Sequence, residues 1–255
     1  MIQEYKNNLL NLVMCYTATQ VTKAYELQSF YQANAIKPDL EVSFYKADGF
    51  THPKLLVLTQ QENEKIIDLY QWGLIPTWNK PLPDMMKLAK GTLNAKSETV
   101  RKLPSFRAAI KNQRCVIPVN SFFEYKHTDG DKLPYLIHPK ETPYFNLAGL
   151  YSHYKDPATN EWLKTFTIVT EPANTFMADI HNSAKRMPLM LSNALVNDWI
   201  NPDSPVSMVD EIMRYACDDN SLSAYRVRRE LKKMANTEDV LLAVSDSPET
   251  QSNED

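Results

Sequence analysis

The cysteine at position 15 has the most distinctive chemistry open to this chain, because it directly follows a methionine. If translation starts at Met14 and that methionine is removed, Cys15 carries an α-amine with a pKa of about 8 beside a thiol with a pKa of about 8.5. Such a 1,2-aminothiol condenses with an aldehyde to an imine, and the thiolate then closes onto the imine carbon to form a thiazolidine. Fourteen residues precede Cys15 as numbered, so this chemistry requires that the leader 1–14 be absent or removed.

Two residues far along the chain have side chains suited to proton transfer. Glu124 lies in Ser-Phe-Phe-Glu-Tyr, where bulky neighbours favour a raised carboxyl pKa and acid/base work near neutral pH. His181 lies in Asp-Ile-His-Asn, and histidine is the side chain that titrates nearest pH 7. The plain alternatives are an exposed glutamate on a strand and a structural histidine.

Two shorter segments complete the set. Asn94 and Lys96 belong to Asn-Ala-Lys-Ser-Glu-Thr, in which the asparagine also suits a helix cap or a turn. Arg186 opens Arg-Met-Pro, five residues after His181. Together these positions supply a thiol, an amide, two cations, a carboxylate and an imidazole.

In this order, the motifs resemble the SOS response-associated peptidase (SRAP) family, from about Met14 to about Leu191 and more weakly to about Ala235. The resemblance implies that Cys15, as the first residue, cross-links to the aldehyde of a ring-opened abasic site in single-stranded DNA. It also implies that Glu124 and His181 act as general acid and base. Asn94 would orient the cysteine or the sugar, and Lys96 would take the place of a phosphate-gripping arginine.

The chain departs from the family pattern at three points. Tyr16-Thr17-Ala18 follows Cys15 where the family has Gly-Arg-Phe, so the arginine expected on a phosphate is missing. Lys96 keeps the charge of the usual arginine and loses its bidentate fork. Ser183-Ala184-Lys185 separates Asn182 from Arg186, which loosens the match at Arg186.

A basic strip lies between Lys80 and Arg114, where nine Lys and Arg residues face two acidic ones, a local excess of seven in a chain of net charge -3. A charge run is either a solvated face or a surface that follows phosphates. Tryptophans near such a strip can stack on unpaired bases. The predicted DNA contacts are Trp72, Trp78, Lys96, Arg107, Arg114 and Arg186.

Composition excludes several classes. The chain has no GxGxxG or Walker motif and no CxxC, so we expect no nucleotide cofactor and no metal. Its three cysteines are far apart and odd in number, which favours a reducing cytoplasm. The apolar run before Cys15 is too short for a signal sequence or a membrane span. We expect a monomer that binds single-stranded DNA bearing abasic sites.

The predicted elements are a helix over 18–35 and then many short strands, with a hairpin turn at Asp129-Gly130-Asp131. This pattern predicts an α+β fold with a curved, mostly antiparallel sheet or open β-barrel and peripheral helices. Cys115 fits a buried strand and Cys217 a C-terminal helix. We predict an SRAP-like domain over 15–235 and an acidic, disordered tail over 236–255.

Three functions remain open on the sequence. The first is a lyase-like enzyme that cross-links itself to abasic sites. The second is a thiol autopeptidase in which Cys15 attacks the carbonyl that precedes it. The third is a non-catalytic single-strand-binding module in which the leader blocks Cys15.

Overall fold

The computed structural model describes residues 16–215 and 217–244, so the leader, Cys15 and the end of the acidic tail lie outside the described residues. The strands are β1 Thr17–Lys23, β2 Asn34–Ala35, β3 Glu41–Asp48, β4 Lys54–Gln61, β5 Glu64–Trp72, β6 Asn94–Lys96, β7 Arg114–Val119, β8 Ser121–Thr128, β9 Asp131–Pro139, β10 Phe145–Lys155, β11 Trp162–Pro172, β12 Arg186–Pro188, β13 Met190–Leu191 and β14 Leu222–Arg226. The α-helices are α1 Ala24–Tyr31, α2 Leu82–Ala89, α3 Ala109–Asn112, α4 Thr175–Ile180, α5 Asn193–Ile200 and α6 Val206–Ile212.

Strands β4, β5, β7, β10 and β11 form a closed barrel. Neighbours in this ring are antiparallel except for β5 and β11, which pair in parallel with Trp72 opposite Phe166. Every residue of β7 is buried, as expected for a strand covered on both faces. The predicted α+β fold is confirmed, and the short parallel pairing closes the barrel that the sequence predicted to be open.

A second sheet, in the order β14-β9-β8-β1-β3, packs on the barrel and carries Glu124. Ala18 of β1 and Phe122 of β8 are fully buried in the core that the two sheets share. The buried Gln20 side chain joins the sheets, since its amide donates to the carbonyls of Leu56 (2.9 Å) and Pro118 (2.7 Å) and its oxygen accepts from Leu56 N–H (2.7 Å). Three satisfied bonds make this buried amide a fixed clamp on β1.

The helix predicted over 18–35 is wrong in its first part, because residues 17–23 form β1 and only Ala24–Tyr31 is helical. Strand β1 is held on both sides, pairing with β3 and with β8. Its threonines and Val21 favour a pleated strand, so the sheet overrides the apolar spacing that indicated a helix. The predicted hairpin is confirmed between β8 and β9, with Gly130 at a φ of 90°.

The predicted boundary of the acidic tail is corrected by residues 236–244, which pack on the outer face of the second sheet. Val240 is 1% exposed and joins a small apolar cluster with Phe123 and Leu231. The side chain of Asn236 accepts from the backbone N–H of Lys46 at 2.8 Å. Apolar burial thus orders the start of a segment whose composition predicted disorder.

Among the described residues, no helix combines the length and the apolar character needed to cross a membrane.

Candidate active site

Glu124 points from β8 into the interior of the molecule. Side chains alternate along a strand, so Glu124 shares the face of Phe122, which lies in the main core, while Phe123 lies on the other face. The residue is 1% exposed, and its Oε1 atom has no hydrogen-bond partner in the described structure. Burial raises the pKa of the Glu124 carboxyl well above its usual value, with only partial relief from the backbone N–H of Tyr125. Burial therefore favours the protonated, neutral form of this carboxyl.

His181 follows directly after α4 and faces Glu124. Its Nδ1 lies 2.9 Å from the carbonyl oxygen of Arg186, which can only accept a hydrogen bond, so Nδ1 carries the proton of the neutral ring. Its Nε2 lies 3.9 Å from Oε2 of Glu124, too far for a hydrogen bond. Both side chains are 2% exposed. A buried proton donor and a buried acceptor thus face each other across a gap.

The segment that carries His181 is fixed to β8 by Asn182. The Asn182 side chain accepts from the backbone N–H of His127 at 2.9 Å and donates to its carbonyl at 2.7 Å. Lys126 adds an ion pair with Asp179 at 2.6 Å. Sequence reasoning misses this role of Asn182, because a long-range pair of hydrogen bonds to the backbone leaves no local pattern.

The start of the described chain lies beside Glu124. Thr17 pairs with Phe123 in antiparallel register. One residue further along in this register, Tyr16 comes opposite Glu124. The Tyr16 carbonyl accepts from Gly49 N–H at 2.8 Å, and its ring lies 4.6 Å from that of Phe50. Cys15 lies outside the described residues, and peptide geometry limits its Cα to about 3.8 Å from that of Tyr16.

Lys96 and Arg186 lie at one end of β11. Strand β6 places Asn94 opposite Ile168 and Lys96 opposite Thr170, while β12 places Arg186 opposite Pro172. Asn94 is 8% exposed and Lys96 is half-buried. Lys96 and Arg186 thus lie on either side of the end of β11. The buried side-chain amide of Asn94 lies on the same part of the sheet.

The guanidinium of Arg186 is already engaged. It makes a bidentate ion pair with Glu98, with Nη2 2.9 Å from Oε2, and it donates to the Thr170 carbonyl at 2.8 Å. This pairing holds the pKa of the Glu98 carboxyl below its usual value. A phosphate would therefore have to share or replace Glu98 at Arg186.

Two predicted DNA contacts are wrong, because both side chains are buried. Trp72 is fully buried, stacks on Phe166 with ring centres 5.8 Å apart, and donates from its indole nitrogen to the Leu93 carbonyl at 2.9 Å. Arg114 is 1% exposed, and its guanidinium donates to the carbonyls of Trp199 (2.7 Å) and Ile110 (2.9 Å). Both residues support the barrel and cannot meet DNA.

The remaining predicted contacts are accessible. Trp78 is 36% exposed, and the ammonium of Lys80 lies 5.8 Å from its ring centre. Arg107 is exposed. Cys115 is buried in β7 as predicted, whereas Cys217 lies outside any helix.

One further buried acid, Glu171, lies near the end of β11 and has no local signal in the sequence. It is 5% exposed, and burial raises its pKa to about 8, against the opposing charge of Arg186. Within the described ranges, no cluster of three His, Cys, Asp or Glu side chains is arranged to hold a metal ion.

This chain is similar to proteins that are named abasic site processing proteins. It is 32% identical over 210 residues to the abasic site processing protein YoqW of Bacillus subtilis, covering 78% of this chain and 89% of the relative. It is 27% identical to the abasic site processing protein HMCES of Xenopus tropicalis, covering 62% of this chain and 53% of that protein.

A crystal structure of a protein from Bacteroides thetaiotaomicron superposes with a TM-score of 0.84 at 28% identity, over 91% of this chain and all of the other. The family model described as SOS response associated peptidase matches residues 14–234. That match spans the barrel, the second sheet and both halves of the Glu124–His181 pair. This chain therefore belongs to the SOS response associated peptidase (SRAP) family.

Proposed function

We propose that this protein processes abasic sites in single-stranded DNA by forming a thiazolidine cross-link through Cys15, once residues 1–14 are absent. The observation that carries the proposal is the buried Glu124–His181 pair, whose facing atoms lie 3.9 Å apart beside the entry of β1. Two relatives are named abasic site processing proteins, and these names support an abasic site as the substrate.

The first step is imine formation between the Cys15 amine and the C1′ aldehyde of the opened sugar. The amine nitrogen bonds to C1′ and loses one proton while the aldehyde oxygen gains one, which gives a carbinolamine. The hydroxyl of the carbinolamine then gains a second proton and leaves as water, while the nitrogen loses its second proton and the carbon–nitrogen double bond forms. Glu124, whose protonated form is favoured by burial, donates the proton that the leaving hydroxyl gains. The unpartnered Nε2 of His181 accepts a proton that the nitrogen loses.

The second step closes the ring. The Cys15 sulfur attacks the imine carbon, the thiol proton leaves, and the imine nitrogen gains a proton as the carbon–nitrogen double bond becomes single. The whole reaction joins amine, thiol and aldehyde with loss of one water and no change in oxidation state. A donor and an acceptor fixed on two elements serve both steps, since every proton that leaves nitrogen or sulfur is matched by one delivered to oxygen or nitrogen.

Binding of the strand is assigned to accessible groups. Lys96 and Arg186 at the end of β11 contribute phosphate contacts, Arg107 adds a further cation, and Trp78 offers a ring on which an unpaired base can stack. Asn94, on β6 beside β11, orients the sugar or the cysteine.

The test is adduct formation with a single-stranded oligonucleotide that bears one abasic site. Protein beginning at Cys15 should give a band of reduced mobility that survives denaturation, and Cys15→Ser should give none. The control is protein beginning at Met1 whose intact mass shows that residues 1–14 are still attached, since its Cys15 then has no free amine. Equal adducts from the Cys15→Ser protein would overturn the proposal.

A second candidate is self-removal of the leader, favoured by the fourteen residues that precede the cysteine. Here the Cys15 thiol attacks the Met14 carbonyl, the acyl group passes from nitrogen to sulfur, and water then releases Met14 as a free acid. Intact mass of protein expressed from Met1 tests this directly. A loss that matches residues 1–14 in wild type, absent in Cys15→Ala, supports it, and an unchanged wild-type mass rejects it.

A further inference from the structure

A cleft of ≈ 590 Å³, which we call the Glu171 cleft, opens between the turn that follows β6, the end of β11 and the end of α6. Its polar lining consists of Ser97, Glu98, Arg101, Lys102, Glu171, Asp210 and Arg214.

Glu171 is the buried wall of this cleft. The residue is 5% exposed, and its Oε1 atom has no hydrogen-bond partner in the described structure. Burial raises the pKa of the carboxyl to about 8, Arg186 lowers it and Glu98 adds to the rise. At neutral pH the group is therefore mostly protonated and presents an O–H donor together with an acceptor oxygen.

Two guanidinium groups near Glu171 have buried N–H groups to spare. Arg101 donates from Nε to Asp210 at 2.7 Å, and its Nη2 is buried without a partner. Arg186 uses Nη1 and Nη2 on Glu98, and its Nε is likewise buried without a partner. Buried donors without acceptors are costly, and a ligand that accepts from them relieves the cost.

The charge around the cleft favours an anion. Arg101, Lys102 and Arg214 line the cleft, and the charge of Arg186 acts on Glu171 from close by. Only Glu98 and Asp210 oppose these four cations while Glu171 is protonated. Arginine N–H groups and a neutral acid together form a donor set that matches tetrahedral oxyanions.

We propose that the Glu171 cleft is an anion site that binds a phosphate group, either on an undamaged stretch of a DNA strand or as free phosphate. The site is separate from the abasic-site chemistry, so it stands or falls on its own. It also borders that chemistry, because the carbonyl of Arg186 accepts from His181.

The first test is a calorimetric titration with inorganic phosphate at pH 7 and constant ionic strength. Arg101→Gln and Arg214→Gln should each weaken phosphate binding about tenfold or more, as expected for a lost charged hydrogen bond. Arg229→Gln is the matched control, since that arginine is exposed and pairs with Asp131 at 3.0 Å outside the cleft. Circular dichroism confirms that each variant is folded. No binding by wild type, or equal weakening in all three variants, overturns the site.

The second test uses sulfate, whose charge stays constant from pH 7 to pH 9. Wild-type affinity should fall across this range as Glu171 ionises and repels the anion, and Glu171→Gln should bind equally at both ends. The charged and titratable groups around Glu171 are Arg186, Glu98 and the Cys217 thiol, whose pKa burial raises, together with Arg101, Lys102, Asp210 and Arg214 of the cleft lining. An identical pH profile in wild type and Glu171→Gln would remove Glu171 from the site.

The third test distinguishes the two sources of phosphate. A single-stranded oligonucleotide without an abasic site is added to protein already saturated with inorganic phosphate. If the oligonucleotide displaces the bound phosphate from wild type, and does so less effectively in Arg101→Gln, the site is assigned to a DNA strand. Retention of phosphate in the presence of bound oligonucleotide assigns it to free phosphate.

Discussion

Glu124 and Glu171 are both buried carboxyl groups, yet they have opposite surroundings. Glu124 is 1% exposed, faces the imidazole of His181 at 3.9 Å, and has no Lys or Arg side chain beside it among residues 16–215 and 217–244. Glu171 is 5% exposed, lines an open cleft, and has the guanidinium of Arg186 nearby. Burial raises the pKa of the Glu124 carboxyl well above its usual value. The charge of Arg186 opposes the same effect at Glu171, whose pKa is raised to about 8.

The difference assigns the two acids different work. A carboxyl that stays protonated opposite an unpartnered nitrogen suits proton delivery to a substrate placed between them. A carboxyl that titrates near pH 8 among cations suits recognition of an anion whose affinity responds to pH. Arg186 connects the two regions, since its backbone carbonyl fixes His181 and its side chain pairs with Glu98.

The largest expected effect comes from exchanging each acid for its amide. Glu124→Gln should slow adduct formation with abasic single-stranded DNA by about 10²–10⁴-fold, because the proton donor is lost while the shape is kept. Glu171→Gln is the matched control and should leave the rate within a few-fold of wild type. Gel quantification of adduct against time measures both. Equal rates in wild type and Glu124→Gln would return this glutamate to a structural role.

The pH dependence of stability should separate the two glutamates again. The pKa of Glu171 is raised on folding, so between about pH 4.5 and pH 8 the folded state holds a proton that the unfolded state has lost, and stability falls as pH rises. Glu171→Gln cannot ionise, so it should gain on wild type by up to about 1.4 kcal/mol per pH unit in this window. Thermal unfolding at pH 5, 6.5 and 8 measures the gain. A constant difference would show that Glu171 is not protonated in the folded state.

Two exposed tryptophans offer a smaller test of which surface meets DNA. Trp78→Ala should weaken binding of undamaged single-stranded DNA by about 1–3 kcal/mol, the usual worth of one stacked base. Trp162→Ala is the matched control, since Trp162 is 65% exposed and also has a lysine, Lys155, 5.8 Å from its ring centre. Fluorescence anisotropy compares the two. An equal loss in both variants would argue against a specific stacking surface at Trp78.

Local sequence patterns predict part of this site and contain no information about the rest. The strand that holds Glu124 and the raised pKa of its carboxyl follow from a run of bulky residues on a β-strand. The meeting of Glu124 with His181 depends on Asn182, which bonds to the backbone of His127. Such contacts join positions that are far apart in the chain and have no local signature.

The misread residues have a common physical cause. Trp72 and Arg114 were assigned to DNA because they lie near many cations in the sequence, but adjacency in the chain does not tell which face of a strand a side chain occupies. The helical spacing of the apolar residues from Val21 to Phe30 extends the predicted helix over β1, whereas pairing with β3 and β8 makes residues 17–23 a strand. Tertiary contacts settled each case.

The smallest expected effect concerns a single phosphate contact at Lys96, at the end of β6. Lys96→Ala should flatten the slope of log affinity against log salt for single-stranded DNA by about 0.7, the value for one phosphate neutralised. Lys140→Ala is the control, because Lys140 is exposed and directly follows β9, on the second sheet rather than at the end of β11. Anisotropy titrations from low to moderate salt give both slopes.

If the Glu171 cleft also binds a strand phosphate, Arg101→Gln should flatten the slope by a similar amount. The double variant should flatten it by the sum, since separate sites release separate counterions. An unchanged slope in Lys96→Ala beside a flattened one in Arg101→Gln would move the path of the strand from the end of β6 to the cleft.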